Sequence, residues 1–507
     1  MTALVPAPGP TVALAALSRS HERQAPLPWL AYRHTAVLTS AQILSVIGLT
    51  GENLPVGFAL GNVDDDAPHT IMVVGEPRDP ALAALAGARL ANVLDPLITN
   101  EVNGSHPLQL WVDGSGTVDF LHAWTFRLRS PWLPGPLALV PHLATALDRA
   151  KDAHALLRAI LTAAKIPGND VLVNAVEALN DHFVFPLGGE QEARQLPVLL
   201  ACFAHAGAPV TVPGLATTAV GLIETIEAAE QVSVSAAADP DWDNKTLAKA
   251  LASFKRLRRR TAKGNPALLV DPTVIERAAK LSGLTFDVTS ALSQRHLAIA
   301  QAVRLLRALP ALPGLDRRRG NAAYRSHLQL QRGLAHERAW RDFPSVIAAG
   351  RDAESDAELT AQAHIDAVRH DRRAFAFAES SGQAAVARVL AVSADGRAVD
   401  LELARPVSPR SNLNWWWLDD AHAEAIIGNL EVLGGPSAGR HARLTVTAQM
   451  RRLAANPALL TGRDSIRLVC LDDTRPRRSY WPRAGGPARF GAQPAWPTPI
   501  NFSVLDS

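Results

Sequence analysis

The chain has 507 residues, 48% hydrophobic and 20% charged, which excludes wholesale disorder, a collagen-like repeat or a coiled coil and predicts about two to four domains at roughly 150 residues each. The formal net charge is only +3, but residues 1–250 hold 14 Lys and Arg against 24 Asp and Glu, and residues 251–350 hold 18 against 6. A basic segment following an acidic half points either to an acidic partner, with nucleic acid first, or to pairing between the two halves.

Residues 1–27 read as a flexible lead-in. No basic run precedes an apolar one, so a signal peptide is not expected. Residues 28–140 read as an α/β domain. Thr70 to Val74 is a short apolar run ending at Gly75, the pattern of a buried strand. Asp79-Pro80 supplies an N-cap and a first-turn proline for a helix carrying Leu82, Leu85, Leu90, Val93 and Leu94. Leu108 to Val112 predicts a second strand. The turn Asp113-Gly-Ser-Gly116 and the alternation of Val118, Phe120, Trp124, Phe126 and Leu128 predict a hairpin returning to Leu128.

Residues 141–350 read as a helical domain. Leu143, Leu147, Leu156, Leu157, Ile160 and Leu161 recur at helical spacing, and further helices are expected at 171–184, 192–206, 216–230 and 245–260. Residues 351–474 read as a strand-containing α+β or half-barrel module. Strands are expected at Phe375 to Ala378, Ala387 to Val392, Val399 to Leu403 and Ile466 to Leu471, with a helix at Asp419 to Leu430. Asp395-Gly396 between alternating runs marks a hairpin. In Trp415-Trp416-Trp417, strand geometry sends Trp416 to the face opposite its neighbours. Residues 475–507 form a Pro- and Arg-rich tail. The fold class is therefore α+β and multidomain.

Within the basic segment, Asp271-Pro272 opens a helix through Leu281, Ser282-Gly283 makes a turn, and a second helix follows. Ala279, Gly283 and Leu292 stand where a small crossing residue, a turn glycine and a buried aliphatic are needed. This pattern resembles the helix-turn-helix of bacterial repressors over about 22 residues. It departs from it at Thr289, where an aliphatic is usual, with Val288 one step early. The resemblance implies a second helix beginning near Val288 whose Thr289, Ser290, Gln294 and Arg295 face a DNA groove. Basic residues flank it: Lys255, Arg256, Arg258, Arg259, Arg260 and Lys263 before, Arg304, Arg307 and Arg317, Arg318 and Arg319 after. Arg256, Arg259, Arg260 and Lys263 fall away from the apolar stripe Leu247, Leu251, Phe254 and Leu257.

Arginine makes up all but seven of the basic residues, the coding bias of a GC-rich bacterial genome, so its position matters more than its abundance. No P-loop, dinucleotide-binding glycine pattern, HExxH or paired CxxC is present. Cys202 and Cys470 sit in apolar runs and read as buried thiols in a reducing cytoplasm. Asp239, Asp241, Asp243 and Lys245 suggest a dispersed metal-dependent nuclease site, against the simpler role of helix capping. His364 and His370 are six apart and do not share a helix face. Trp415 to Trp417 and the tail cations with Tyr480 and Trp481 carry rings that bases could stack on. The expectation is a non-catalytic DNA-binding or scaffold subunit of a bacterial multi-protein system, with nucleic acid and other subunits as partners, no cofactor, no bound metal and no membrane. The alternatives are the nuclease and a protein–protein scaffold.

Overall fold

The computed structural model describes residues 10–28, 33–49, 54–102, 108–128, 141–165, 170–187, 195–212, 221–231, 246–263, 265–312, 372–406, 414–418, 427–433, 440–448, 450–456 and 465–471, together with Leu315, His327, Leu330, Val368 and Leu460. The chain forms two compact units, one over 8–343 apart from 166–168, the other mainly over 344–507.

The first unit opens with α1 (Pro10–Arg23), β1 (Leu27–Pro28), β2 (Gln42–Leu49), β3 (Leu54–Asn62), β4 (Thr70–Val73), α2 (Pro80–Val102), β5 (Leu110–Val112) and α3 (Ser115–Leu128). It continues with α4 (Pro141–Ala163), β6 (Leu172–Asn174), α5 (Ala175–His182), β7 (Phe183–Val184), α6 (Leu196–His205) and α7 (Leu222–Gln231). It closes with α8 (Ala248–Ala262), α9 (Pro266–Leu269), α10 (Pro272–Leu281) and α11 (Leu284–Ala308). Five strands make one sheet in the order β4-β3-β2-β5-β6. β2, β3 and β4 are antiparallel neighbours, while β5 and β6 run parallel to β2. The helices expected over 141–350 thus share a unit with the N-terminal sheet. No boundary falls at 140, because β6 is the sheet's last strand and α11 packs on β2, β3 and β4.

Both sheet faces are covered, so its strands are apolar throughout rather than alternating. Leu44, Val46, Leu110, Val112 and Leu172 join a core with Leu82, Leu90 and Leu94 of α2, Trp124 of α3 and Ile160 of α4. Ile43, Trp111 and Val173 join a second core with α5, α6 and the later turns of α11. Pro80–Asn100 of α2 is long and apolar enough to cross a membrane, but it carries Arg89 and Asp95, and Leu82, Leu90, Leu94 and Ile98 are core residues. β3 alternates large and small residues. Val56, Phe58 and Leu60 fill one side, while Gly57, Ala59 and Gly61 present a narrow stripe to the other. α11 uses that stripe: a Cβ on Gly57 would lie 2.5 Å from Val288 Cγ1, and one on Gly61 would lie 2.4 Å from His296 Cε1.

Several expectations change. Ser115 to Leu128 is a helix rather than a returning strand. Its buried residues Thr117, Phe120, Leu121, Trp124, Thr125 and Leu128 follow the helical period, whereas Phe126 is exposed. The lead-in contains α1, whose buried Ser20 Oγ donates to the carbonyls of Ala25 and Val184. In the expected helix 171–184, the first residues are β6. Asn174 then caps α5 through its side chain, accepting from Val176 N and Glu177 N.

The second unit contains α12 (Arg372–Ser380), β8 (Ala384–Val392), β9 (Ala398–Leu403), β10 (Asn414–Leu418), β11 (Ile427–Val432), β12 (His441–Ala448), α13 (Met450–Ala455) and β13 (Ile466–Leu471). The strands close into an antiparallel barrel in the order β10-β11-β12-β9-β8-β13, within the strand-containing α+β or half-barrel module expected there. Closure leaves the sheet no free edge. Val399, Leu401, Leu403, Trp415, Trp417, Leu444, Val446 and Leu468 form its core. Trp415 and Trp417 share that interior, as period two requires; the Trp416 side chain lies outside the described residues. Gly396 takes φ +68° in the β8–β9 turn, as the Asp-Gly signal predicts. Phe375 to Ala378 belongs to α12 instead of a strand, and Ile427 to Leu430 is strand rather than helix. Neither Cys202 nor Cys470 forms a disulfide, and both are buried.

Gly57→Ala forces backbone movement, because its Cβ would also lie 2.9 Å from the Met72 carbonyl oxygen. A loss of about 1–3 kcal/mol in urea unfolding is expected. Burial holds the His296 imidazole below its ordinary value of 6.5, outweighing the hydrogen bond to the Asp65 carbonyl that favours its charged form. The folded pKa is depressed, so the unfolded chain binds the extra proton first and stability falls as the pH drops below about 6.5. His296→Gln should show a shallower fall in urea midpoint between about pH 7.5 and about pH 5.5 than the parent chain. Equal slopes would remove His296 as the source.

Candidate nucleic-acid interface

The basic segment splits into two populations. On α8, Leu251 and Phe254 are buried, and the Phe254 ring lies where a Cβ on Gly75, at φ +87°, would come within 2.6 Å of it. Arg258 follows the same buried face and pairs with Asp79, the residue that caps α2 by accepting from Ala81 N. Lys255 Nζ lies 2.5 Å from Oε2 of the buried Glu76. The helix's other side carries Lys249, Arg256, Arg259, Arg260 and Lys263, all exposed and all without an ion pair among the described residues. Their spacing of three, four and seven residues sets them on one face. Lys249 was not singled out from sequence, because it lies two residues before the basic segment.

α10 and α11 have the connection that the helix-turn-helix pattern implies. The Asp271 carboxylate accepts from Thr273 N at 2.8 Å and caps α10. Gly283 adopts φ +78°, the left-handed conformation that favours glycine. Ala279 and Leu292 are buried as their places require. The second helix, however, starts at Leu284 rather than near Val288 and runs for 25 residues. Leu284, Val288 and Leu292 form its buried row, so the apolar residue one step early is the core residue.

Arg295 does not face a groove. Its side chain is 5% exposed, Nη1 donates to the Val46 carbonyl and lies 3.7 Å from Asp113 Oδ2. Arg304 pairs with Asp66 at 2.5 Å, and Arg307 pairs with Asp64 and donates to the Leu38 carbonyl. Thr289, Ser290 and Gln294 are half-buried on the outer side of α11. Lys280 is tied to Glu276 at 2.8 Å, while the neighbouring Arg277 is exposed and has no ion pair among the described residues. Arg317, Arg318 and Arg319 lie outside the described residues, as do Asp239, Asp241, Asp243, Lys245, His364, His370 and the tail from Arg475.

The carboxyl ends of parallel strands are the usual ligand position in an open α/β sheet. Here Asp113 ends β5, and Ser45 of β2 stands level with it, two residues beyond the paired Ile43 and Trp111. Arg295 covers Asp113, and the Asn174 side chain caps α5, so two of the three polar groups serve internal contacts. Among the described residues no group of three or more His, Cys, Asp or Glu could hold a metal ion. No family model, curated protein or solved structure matches the chain.

Arg295→Met leaves Asp113 buried without its cation. The expected cost is about 3–5 kcal/mol in urea unfolding. The double variant Arg295→Met with Asp113→Asn should recover much of it, since no buried charge remains uncompensated. Non-recovery would show that the Val46 carbonyl contact matters more than the charge pair.

Proposed function

We propose that this chain binds nucleic acid, DNA in the first instance, through the exposed basic face of α8. The observation that carries this reading is the stripe Lys249, Arg256, Arg259, Arg260 and Lys263: five cations on one helix face without an acid among the described residues. Five other cations of the same unit are neutralised. Lys255, Arg258, Arg295, Arg304 and Arg307 meet Glu76, Asp79, Asp113, Asp66 and Asp64. Internal pairing of the basic segment with the acidic half is therefore real but stops short of this face. Self-repulsion along it disfavours the free protein, and a run of phosphates would relieve it.

Helix-dipole stabilisation is the competing explanation. Cations in a last turn gain about 0.3–1 kcal/mol each from the carbonyl end. That accounts for Arg259, Arg260 and Lys263. It does not account for Lys249 in the first turn or Arg256 in the middle.

Binding of the full chain to labelled DNA at several salt concentrations tests the reading. If about four cations contact phosphates, log affinity should fall with log salt at a slope of roughly −3 to −4. Arg256→Ala, Arg259→Ala and Arg260→Ala together should weaken binding to every sequence alike and flatten the slope by about 2 to 3. Because these side chains hold no partner among the described residues, the triple variant should unfold near the parent's urea midpoint. A large stability loss with unchanged affinity would mean that the face serves the fold instead.

A further inference from the structure

Two features of α11 bear on what kind of strand this interface takes. The first is that the helix is embedded. Gly57 and Gly61 bring β3 against Val288 and His296, and Arg295 points inward to Asp113. Thr289, Ser290, Ser293 and Gln294 on the outer side are only half exposed. A major groove is about 8.5 Å deep, and a reading helix must project into it with its side chains free. α11 lacks that projection.

The second feature is Phe286. It stands in the first turn of α11, three residues past Gly283, and is 77% exposed, more than any other large apolar side chain among the described residues. Leu281, also exposed, flanks it across the turn. Leaving such a ring in water forgoes about 1.5–3 kcal/mol of burial. Along the helix from Phe286, Thr289, Ser290, Ser293 and Gln294 follow at three, four, seven and eight residues, the outer face of the same helix. Their hydroxyl and amide groups make no side-chain hydrogen bond among the described residues. A flat π surface beside unengaged donors and acceptors matches a base whose face and edge are both free. In a duplex, stacking covers the face and pairing uses the edge.

We infer that the ligand of this interface is a single-stranded nucleic acid, with one base stacked on Phe286 and the α8 cations on its phosphates. α10 packs against both α8 and α11, and α11 also touches α8, so ring and cations are carried by one packed group of helices. The inference rests on the nucleic-acid reading above and adds the strand's state and the stacking residue.

The test uses the full chain and three labelled probes of equal length: oligo(dT), a duplex, and an abasic strand with phosphates but no bases. Wild type should prefer oligo(dT) to the other two. Phe286→Ala should weaken oligo(dT) about five- to a hundredfold, the range for losing one base stacked on an aromatic ring. The salt slope should keep its value, because no phosphate contact is lost. Phe286→Trp should retain binding. The abasic strand should not distinguish Phe286→Ala from wild type, which separates stacking from a general change in the surface. Equal affinity of wild type and Phe286→Ala for oligo(dT), or a wild-type preference for duplex, overturns the inference. If the triple arginine variant still loses binding in that case, the α8 reading survives alone. If wild type binds none of the probes at low salt, both readings fall.

Discussion

α11 lies flat on the sheet because β3 has almost nothing on the side that meets it. Gly57, Ala59 and Gly61 leave room for a helix backbone to approach, and Val288, Leu292 and His296 occupy that room. A helix seated this closely has one choice of rotation. Arg295 is therefore carried over the end of β5, where Asp113 meets it, and Phe286 is carried outward. The Gly283 turn then sets where α10 stands, and α8 packs on α10. The position of the surface cations thus traces back to two glycines on a buried strand.

Charge follows the same geometry. The acidic residues between Asp64 and Asp79 lie in the connections around β4 and meet Lys255, Arg258, Arg304 and Arg307. The half-exposed pairs contribute little each, since surface ion pairs are typically worth about 0–1 kcal/mol. The Arg258–Asp79 pair is partly buried and ties two helices together. Asp79 also caps α2, so one carboxylate fixes both the start of α2 and the rotation of α8. That rotation decides which α8 residues face water.

Much of the helical half was legible in sequence, because its apolar residues recur at helical period and its caps are explicit. Asp79, Asp271 and Gly283 act as the pattern predicts. The sheet was harder to read. β2 and β3 were not identified, since strands buried on both faces show no alternation and Gly57 and Gly61 interrupt the apolar run of β3. α3 was mistaken for a strand because Val118, Phe120, Trp124, Phe126 and Leu128 also fit period two. Only burial shows that Phe126 is outside the set. For the interface, Arg256, Arg259, Arg260 and Lys263 followed from their offset to the apolar stripe. Arg295 did not, because its partner Asp113 lies far away in sequence and a buried arginine has no local signature. Phe286 was passed over for the opposite reason: an aromatic residue in an apolar helix is ordinarily core, and its exposure depends on the rotation that β3 imposes.

The proposed interface is stiff where it needs to be. α8, α10 and α11 are fixed by a shared core with the sheet, so binding does not have to order a backbone. What remains to be ordered is the rotamer freedom of a few long side chains, at about 0.5–1.5 kcal/mol each. Phe286 has only two side-chain torsions, so it supplies contact area at lower entropic cost than any of the arginines of α8. Cations on a rigid helix give affinity without sequence preference, since phosphates repeat along any strand. Discrimination must then come from groups that touch bases. On the proposed interface those are the ring of Phe286 and the hydroxyl and amide groups of Thr289, Ser290, Ser293 and Gln294. A planar ring accepts every base, and short hydroxyls bond to several edges. The chemistry on display therefore favours broad recognition of an unpaired strand over the reading of one site.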